Sequence, residues 1–170
     1  MAEHALGVEV VTPEAALFSG VAVSVVTATS EGDLTVMADH AELIGDVVPG
    51  VVKIETPDGE TVEILVHGGF LQVTTAPGAA LGLVEGVSET DRTTRTTILA
   101  GVAELIVEID VAAAQEAKAL AEARLLEIRA AHRPDEHAEM TDGYLELARA
   151  EAELAMAELR VASTRPLGMS

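Results

Sequence analysis

The sequence predicts a mainly β N-terminal domain, a sandwich or flattened barrel, followed by an α-helical antiparallel hairpin. Two observations carry this expectation. The first hundred residues are rich in Val and Thr, are punctuated by Gly and Pro, and hold several runs with the two-residue period of a strand. From about Glu104 the composition turns to Ala, Glu, Leu and Arg, with apolar residues at helical spacing. The expected domains are residues 1–104 and 105–170.

β-like runs are expected at Val8–Val11, Val21–Thr29, Leu34–Met37, Val51–Glu55, Thr61–Val66, Phe70–Thr74 and Thr96–Ala100. In Val51–Glu55, Val52 and Ile54 share one face while Lys53 and Glu55 share the other. In Thr61–Val66, Val62, Ile64 and Val66 share a face. Pro57-Asp58-Gly59 lies between these runs and is a reverse-turn signal, which makes the pair a β-hairpin. Many short strands with turns between them suit an antiparallel sandwich or barrel. Gly32 and Gly68-Gly69 resemble the glycines of a phosphate loop. Such a loop needs a strand, a Gly-rich turn and then a helix. Here "HGGFLQV" runs straight into another strand, so the glycines suit bulges or sheet corners.

Asp110 is the expected N-cap of a first helix near 110–132, which Pro134 prevents from continuing. A second helix is expected near 141–163, beginning at Thr141 or Asp142. Its stripe is Leu147, Ala150, Leu154, Ala157 and Val161. The short link containing "RPDEH" makes the two helices antiparallel. Ala112, Ala113, Ala114, Ala117, Ala119, Ala121 and Ala123 give the first helix little bulk. Small side chains let helix axes approach closely, but each buries little area, so the hairpin alone is expected to be marginal. Leu145, Met156 and Leu159 lie off the main stripe, where they widen the buried face or meet a partner.

Composition narrows the function. A chain of 170 residues can bury about 70% of its unfolded surface. Only 2% of the residues are aromatic (Phe18, Phe70 and Tyr144), so the core is aliphatic. The net charge of −19 repels phosphate backbones and anionic lipid, and it favours basic partners. Three rings are too few for a base-stacking platform. The absence of cysteine excludes disulfides and thiolate zinc sites. The start "MAEHALGVEVV" shows no signal peptide, and no apolar run approaches the ~20 residues of a membrane span. The expectation is a soluble cytoplasmic protein with no direct membrane insertion, which partners can hold at a membrane complex.

His40 lies among Glu31, Asp33, Asp39 and Glu42, as a metal ligand or an acid–base group would. A metal site needs two or three further ligands, and no H-x-H or H-x-x-x-H spacing occurs. The residues favour a histidine that hydrogen-bonds a loop. No G-x-S-x-G frames a nucleophile. Glu151 and Glu158 have no His near them and suit a solvated face. The alternative reading is a small metal-dependent β-sandwich enzyme using His40, Asp33 and His67.

The order of "VEVVTPEAALFSG", "TSEGDLTVMADHAEL", "VVPGVVKI" and "VHGGFLQV", then a helix after "EID" and another with "AELRVAS", resembles the epsilon subunit of F-type ATP synthases. The resemblance covers nearly the whole chain. Its signals are Phe18-Ser19-Gly20, Gly32, His40, Pro49-Gly50 and Gly68-Gly69-Phe70-Leu71. It implies a ten-stranded sandwich and a helical hairpin in a non-catalytic central-stalk subunit. That subunit turns with gamma and sits against the c-ring. It lies peripherally, on the cytoplasmic face of the cell membrane, and needs no cofactor. The resemblance places Glu31 and Asp33 toward the c-ring, and His40 with Glu42 toward gamma. It also implies that the hairpin can extend to the alpha and beta subunits and restrain ATP hydrolysis.

Three departures from the family pattern stand out. Glu42 replaces a proline usual two residues after the histidine, which changes loop rigidity. An insertion near 76–95, "APGAALGLVEGVSETDRTTR", lengthens the connection before the last strand. Ala113 stands where nucleotide-binding members carry arginine in I-D-x-x-R-A, so Asp110 would contact ATP only if sensing is retained. The second helix carries Glu146, Glu151, Glu153 and Glu158 against Arg149 and Arg160. Docking on acidic catalytic elements would then be weak, and so would inhibition.

Overall fold

The computed structural model describes residues 5–77, 92–131 and 142–164. The chain divides into two compact units, Met1–Val107 and Glu108–Ser170. Among the described residues the first contains ten strands: β1 (Leu6–Val11), β2 (Ala16–Ala22), β3 (Ser24–Thr29), β4 (Gly32–Met37), β5 (Leu43–Val47), β6 (Gly50–Glu55), β7 (Thr61–Val66), β8 (Gly69–Pro77), β9 (Arg92–Ala100) and β10 (Ala103–Leu105). They form two five-stranded sheets, ordered β2-β1-β9-β8-β5 and β10-β7-β6-β3-β4. β1 pairs parallel with β9, and the other pairings are antiparallel.

Period-two alternation fills the space between the sheets. Leu6, Val8 and Val10 of β1 point inward with Leu71 and Val73 of β8 and Ile98 of β9. Val25, Val36, Val52, Ile54, Ile64 and Val66 come from the other sheet. Each such side chain contributes about 1.5–3 kcal/mol when fully buried. The β6–β7 hairpin turns at Pro57-Asp58-Gly59 as expected. Gly59 has φ 82°, and the Thr56 N–H donates to the Glu60 carbonyl at 2.8 Å.

Two sequence expectations change. The single run Val21–Thr29 is two strands that break at Val23, because the chain there leaves one sheet for the other. β5 and β10 lie outside the expected runs. β5 reads LIGDV, with a Gly and an Asp that strands disfavour, and β10 has only three residues. β10 also spans the division expected between Glu104 and Leu105.

Gly68 and Gly69 turn the chain from β7 in one sheet to β8 in the other. A Cβ on Gly68, at φ 103°, would sit 3.2 Å from the Val47 carbonyl oxygen. One on Gly69 would drive into the Leu99 carbonyl. These glycines serve a sheet corner, as the strand-to-strand context of "HGGFLQV" suggests. The insertion expected near 76–95 contributes its ends to β8 and β9, and residues 78–91 lie outside the described residues. The link containing "RPDEH" lies outside them as well.

The second unit pairs α1 (Val111–Ala131) with α2 (Asp142–Ser163). The Asp110 carboxylate accepts from the N–H groups of Ala112 at 2.9 Å and Ala113 at 3.1 Å, the bonding of an N-cap. Along α1, Ala114 and Leu125 are buried and Lys118, Ala121 and Ile128 partly so. Along α2 the less exposed positions include Leu147, Ala150, Leu154, Ala157 and Val161, the stripe read from the sequence. Both sets advance by alternating steps of three and four, the seam of a short coiled coil. Lys118–Glu158 (3.4 Å), Arg124–Glu153 (3.1 Å) and Arg129–Glu151 (2.8 Å) cross between the helices. As the α1 partner moves toward its C-terminus, the α2 partner moves toward its N-terminus, so the helices are antiparallel.

Candidate partner-docking rim

β4 and β5 are the outer strands of different sheets. An open cavity of about 480 Å³ lies between them, lined by Thr29, Glu31–Leu34 and Leu43–Asp46. The two-residue tip Ser30-Glu31 joins β3 to β4. Its shape is set by the Thr29 hydroxyl, which donates to the Gly32 carbonyl at 2.7 Å and accepts from the Glu31 N–H at 3.2 Å. Gly32 has φ 124°, a conformation that suits glycine.

Asp46 on β5 fastens this tip to the opposite sheet. One carboxylate oxygen accepts from the Ser30 hydroxyl at 2.8 Å, and the other from the Ser30 N–H at 3.2 Å. The Ser30 hydroxyl is the main cause that holds the Asp46 carboxyl below its ordinary pKa. Backbone N–H bonds add to the lowering, and desolvation opposes it. Sequence reasoning missed both residues. The only signal was the Ser30-Glu31-Gly32 turn, and Asp46 lies sixteen positions away.

The other end of β4 leads into the loop that carries His40. Asp39 takes φ 62°, and the His40 N–H donates to the Met37 carbonyl at 3.2 Å. His40 Nδ1 lies 2.8 Å from the Ala41 carbonyl oxygen. A carbonyl only accepts, so Nδ1 carries the proton in this contact. Glu42 Oε1 accepts from the Thr75 N–H at 3.0 Å. The β5–β8 ladder begins at Leu43 opposite Val73, so the Glu42 side chain carries the bonding to β8 past the end of that ladder. That is the residue's physical role in this loop.

The metal-enzyme alternative does not survive this geometry. Asp33 lies near the start of β4 and His40 lies beyond its other end, and the four residue steps from Asp33 to Met37 alone span about 13 Å. His67 lies between β7 and β8. Its N–H donates to the Val102 carbonyl at 3.0 Å, and its Nε2 is 3.7 Å from a Glu104 oxygen. Among the described residues, no group of three or more His, Cys, Asp or Glu could hold a metal ion.

The described residues form a sandwich with an open rim between two sheet edges, joined in sequence to a helical hairpin. The family model for the delta/epsilon chain beta-sandwich domain of ATP synthase matches residues 5–77. The ATP synthase epsilon chain of Sinorhizobium fredii is 40% identical over 90 residues, which are 53% of this chain and 66% of that one. That of Pelotomaculum thermopropionicum is 34% identical over 125 residues, 74% of this chain and 79% of that one. The chain thus spans from about two thirds to about four fifths of these relatives' length. A chain in the structure of Euglena gracilis mitochondrial ATP synthase shares the fold, with a TM-score of 0.65 at 19% identity, over 94% of this chain and 81% of that one. The chain belongs to the ATP synthase epsilon chain family, whose members are stalk subunits and not catalytic ones. Among the described residues, no helix is long and apolar enough to cross a membrane.

Proposed function

We propose that this chain is a rotor subunit of the central stalk. It couples c-ring rotation to ATP synthesis through gamma, on the cytoplasmic face of the cell membrane. The Glu31 and Asp33 end of the rim faces the c-ring, and the His40 and Glu42 end faces gamma. The observation that supports this reading is the placement of the two pairs at opposite ends of one strand, β4 (Gly32–Met37). A rigid strand can present each end to a different partner.

The same reading makes the hairpin a weak restraint on hydrolysis through the alpha and beta subunits. Glu151, Glu153 and Glu158 pair with α1 cations while the hairpin is closed. Opening would strip those pairs and expose the carboxylates to any acidic surface.

The test is co-purification of the full-length chain with gamma and with the c-ring, with and without a chelator. Both partners are retained and the chelator has no effect. Asp33→Lys weakens c-ring retention and spares gamma, while His40→Ala does the reverse. Failure to bind either partner overturns the function. Loss of the same partner in both variants overturns the assignment of the two ends.

A further inference from the structure

The cavity beside the rim follows backbone edges rather than sheet faces. Successive side chains of a strand point to opposite faces. A cavity on one face would touch every second residue. This one is lined by four consecutive residues on each side, Glu31–Leu34 and Leu43–Asp46. It therefore runs along the outer edges of β4 and β5, neither of which pairs on that side among the described residues. Open edges are templates for a further strand, and proteins usually guard them with charged side chains (Lys above all), Pro, a bulge or a short strand. β4 reads GDLTVM and β5 reads LIGDV, without Lys or Pro; their charged residues, Asp33 and Asp46, guard against anionic strands only.

The lining also selects an occupant. Its charged side chains are Glu31, Asp33 and Asp46, all acidic, and Leu34, Leu43 and Ile44 supply apolar surface. Ile44 is 77% exposed. A second copy of this chain would bring three more carboxylates to the same place, on a molecule of net charge −19. Like charges across an interface disfavour that pairing.

We propose that an extended, Lys- or Arg-bearing segment of a partner protein enters this cavity and pairs by its main chain with the open edge of β5. This is β-strand addition, in which main-chain bonds give affinity and flanking charges give register. It rests on the reading of the rim as a partner surface and adds the manner of binding.

Amide hydrogen exchange tests it, on the full-length chain alone and after assembly with purified gamma and c-ring. The alternate β5 amides that are open in the free chain should slow by about 100-fold or more on assembly. Glu31→Lys with Asp33→Lys should weaken assembly by about tenfold and flatten its salt dependence. Assembly with unchanged β5 amides overturns strand addition and leaves the docking function standing. Protection confined to β4 places the segment on the wrong edge and also overturns it. Protection that appears in the free chain and grows with its own concentration assigns the edge to a second copy, which overturns the cationic partner. Failure to assemble overturns the docking function together with the proposal.

Discussion

The sandwich and the hairpin draw on similar aliphatic residues but are held by different forces. In the sandwich Leu6, Ile54, Ile64, Leu71 and Ile98 are fully buried and meet across two sheets. In the two helices the buried positions are Ala114, Leu125 and Ala150, and two of these are alanines. The hairpin makes up part of the difference with ion pairs. Arg124–Glu153 and Arg129–Glu151 are each about half exposed, and such pairs contribute about 0–1 kcal/mol. A shell of large buried side chains resists rearrangement. A seam of small residues with exposed ion pairs can open at low cost. The unit with the proposed docking rim is therefore the rigid one, and the unit of the proposed hydrolysis restraint is the pliable one.

The contrast breaks most visibly in the core. Leu71→Ala should cost about 2–5 kcal/mol in urea unfolding of the full chain, with loss of the sandwich as a unit. Leu125→Ala should cost about 2–3 kcal/mol, but only in the hairpin. Far-UV circular dichroism would then show helix melting at lower temperature, while β-strand amide exchange stays unchanged. If the two probes moved together in both variants, the contrast between units would fail.

A smaller effect has the opposite sign. The Thr96 side chain is buried, and its hydroxyl has no hydrogen-bond partner among the described residues. Thr96→Val removes an unpaired polar group and should raise sandwich stability by about 1 kcal/mol.

The smallest effect concerns the rim. Asp46 has a folded pKa below its unfolded value, so its contribution to stability is present above about pH 4 and is lost as pH falls through the folded value. Ser30→Ala should raise the Asp46 midpoint in a carboxyl NMR titration. An unchanged midpoint would remove Ser30 as the cause.

Legibility in the sequence followed physical locality. The β6–β7 hairpin was readable because its turn and both alternating faces lie within seventeen residues, Gly50–Glu55 and Thr61–Val66. Asp110 was readable as a cap because its bonds reach only two and three residues ahead. The α2 stripe was readable from helical spacing. β5 was hidden because its pairing with β8 comes from distant residues and its own Gly45 and Asp46 argue against a strand. The same holds for the rim. Glu31, Asp33 and His40 stood out by residue type, but the Ser30–Asp46 tie and the Glu42–Thr75 bond join positions that only the sandwich brings together. Even β3 needed the fold to define its start, since nothing local at Val23 marks the step between sheets.

In the proposed function the sandwich does the coupling and the hairpin is dispensable for it. The measurement that tests it most directly ends the chain after Val107, which keeps β10 in its sheet, within the assembled ATP synthase. Assembly with gamma and the c-ring and ATP synthesis should be retained, with ATP hydrolysis rising less than about twofold, a barrier change under ~0.5 kcal/mol. Loss of assembly, or release of a large latent hydrolysis activity, would contradict it.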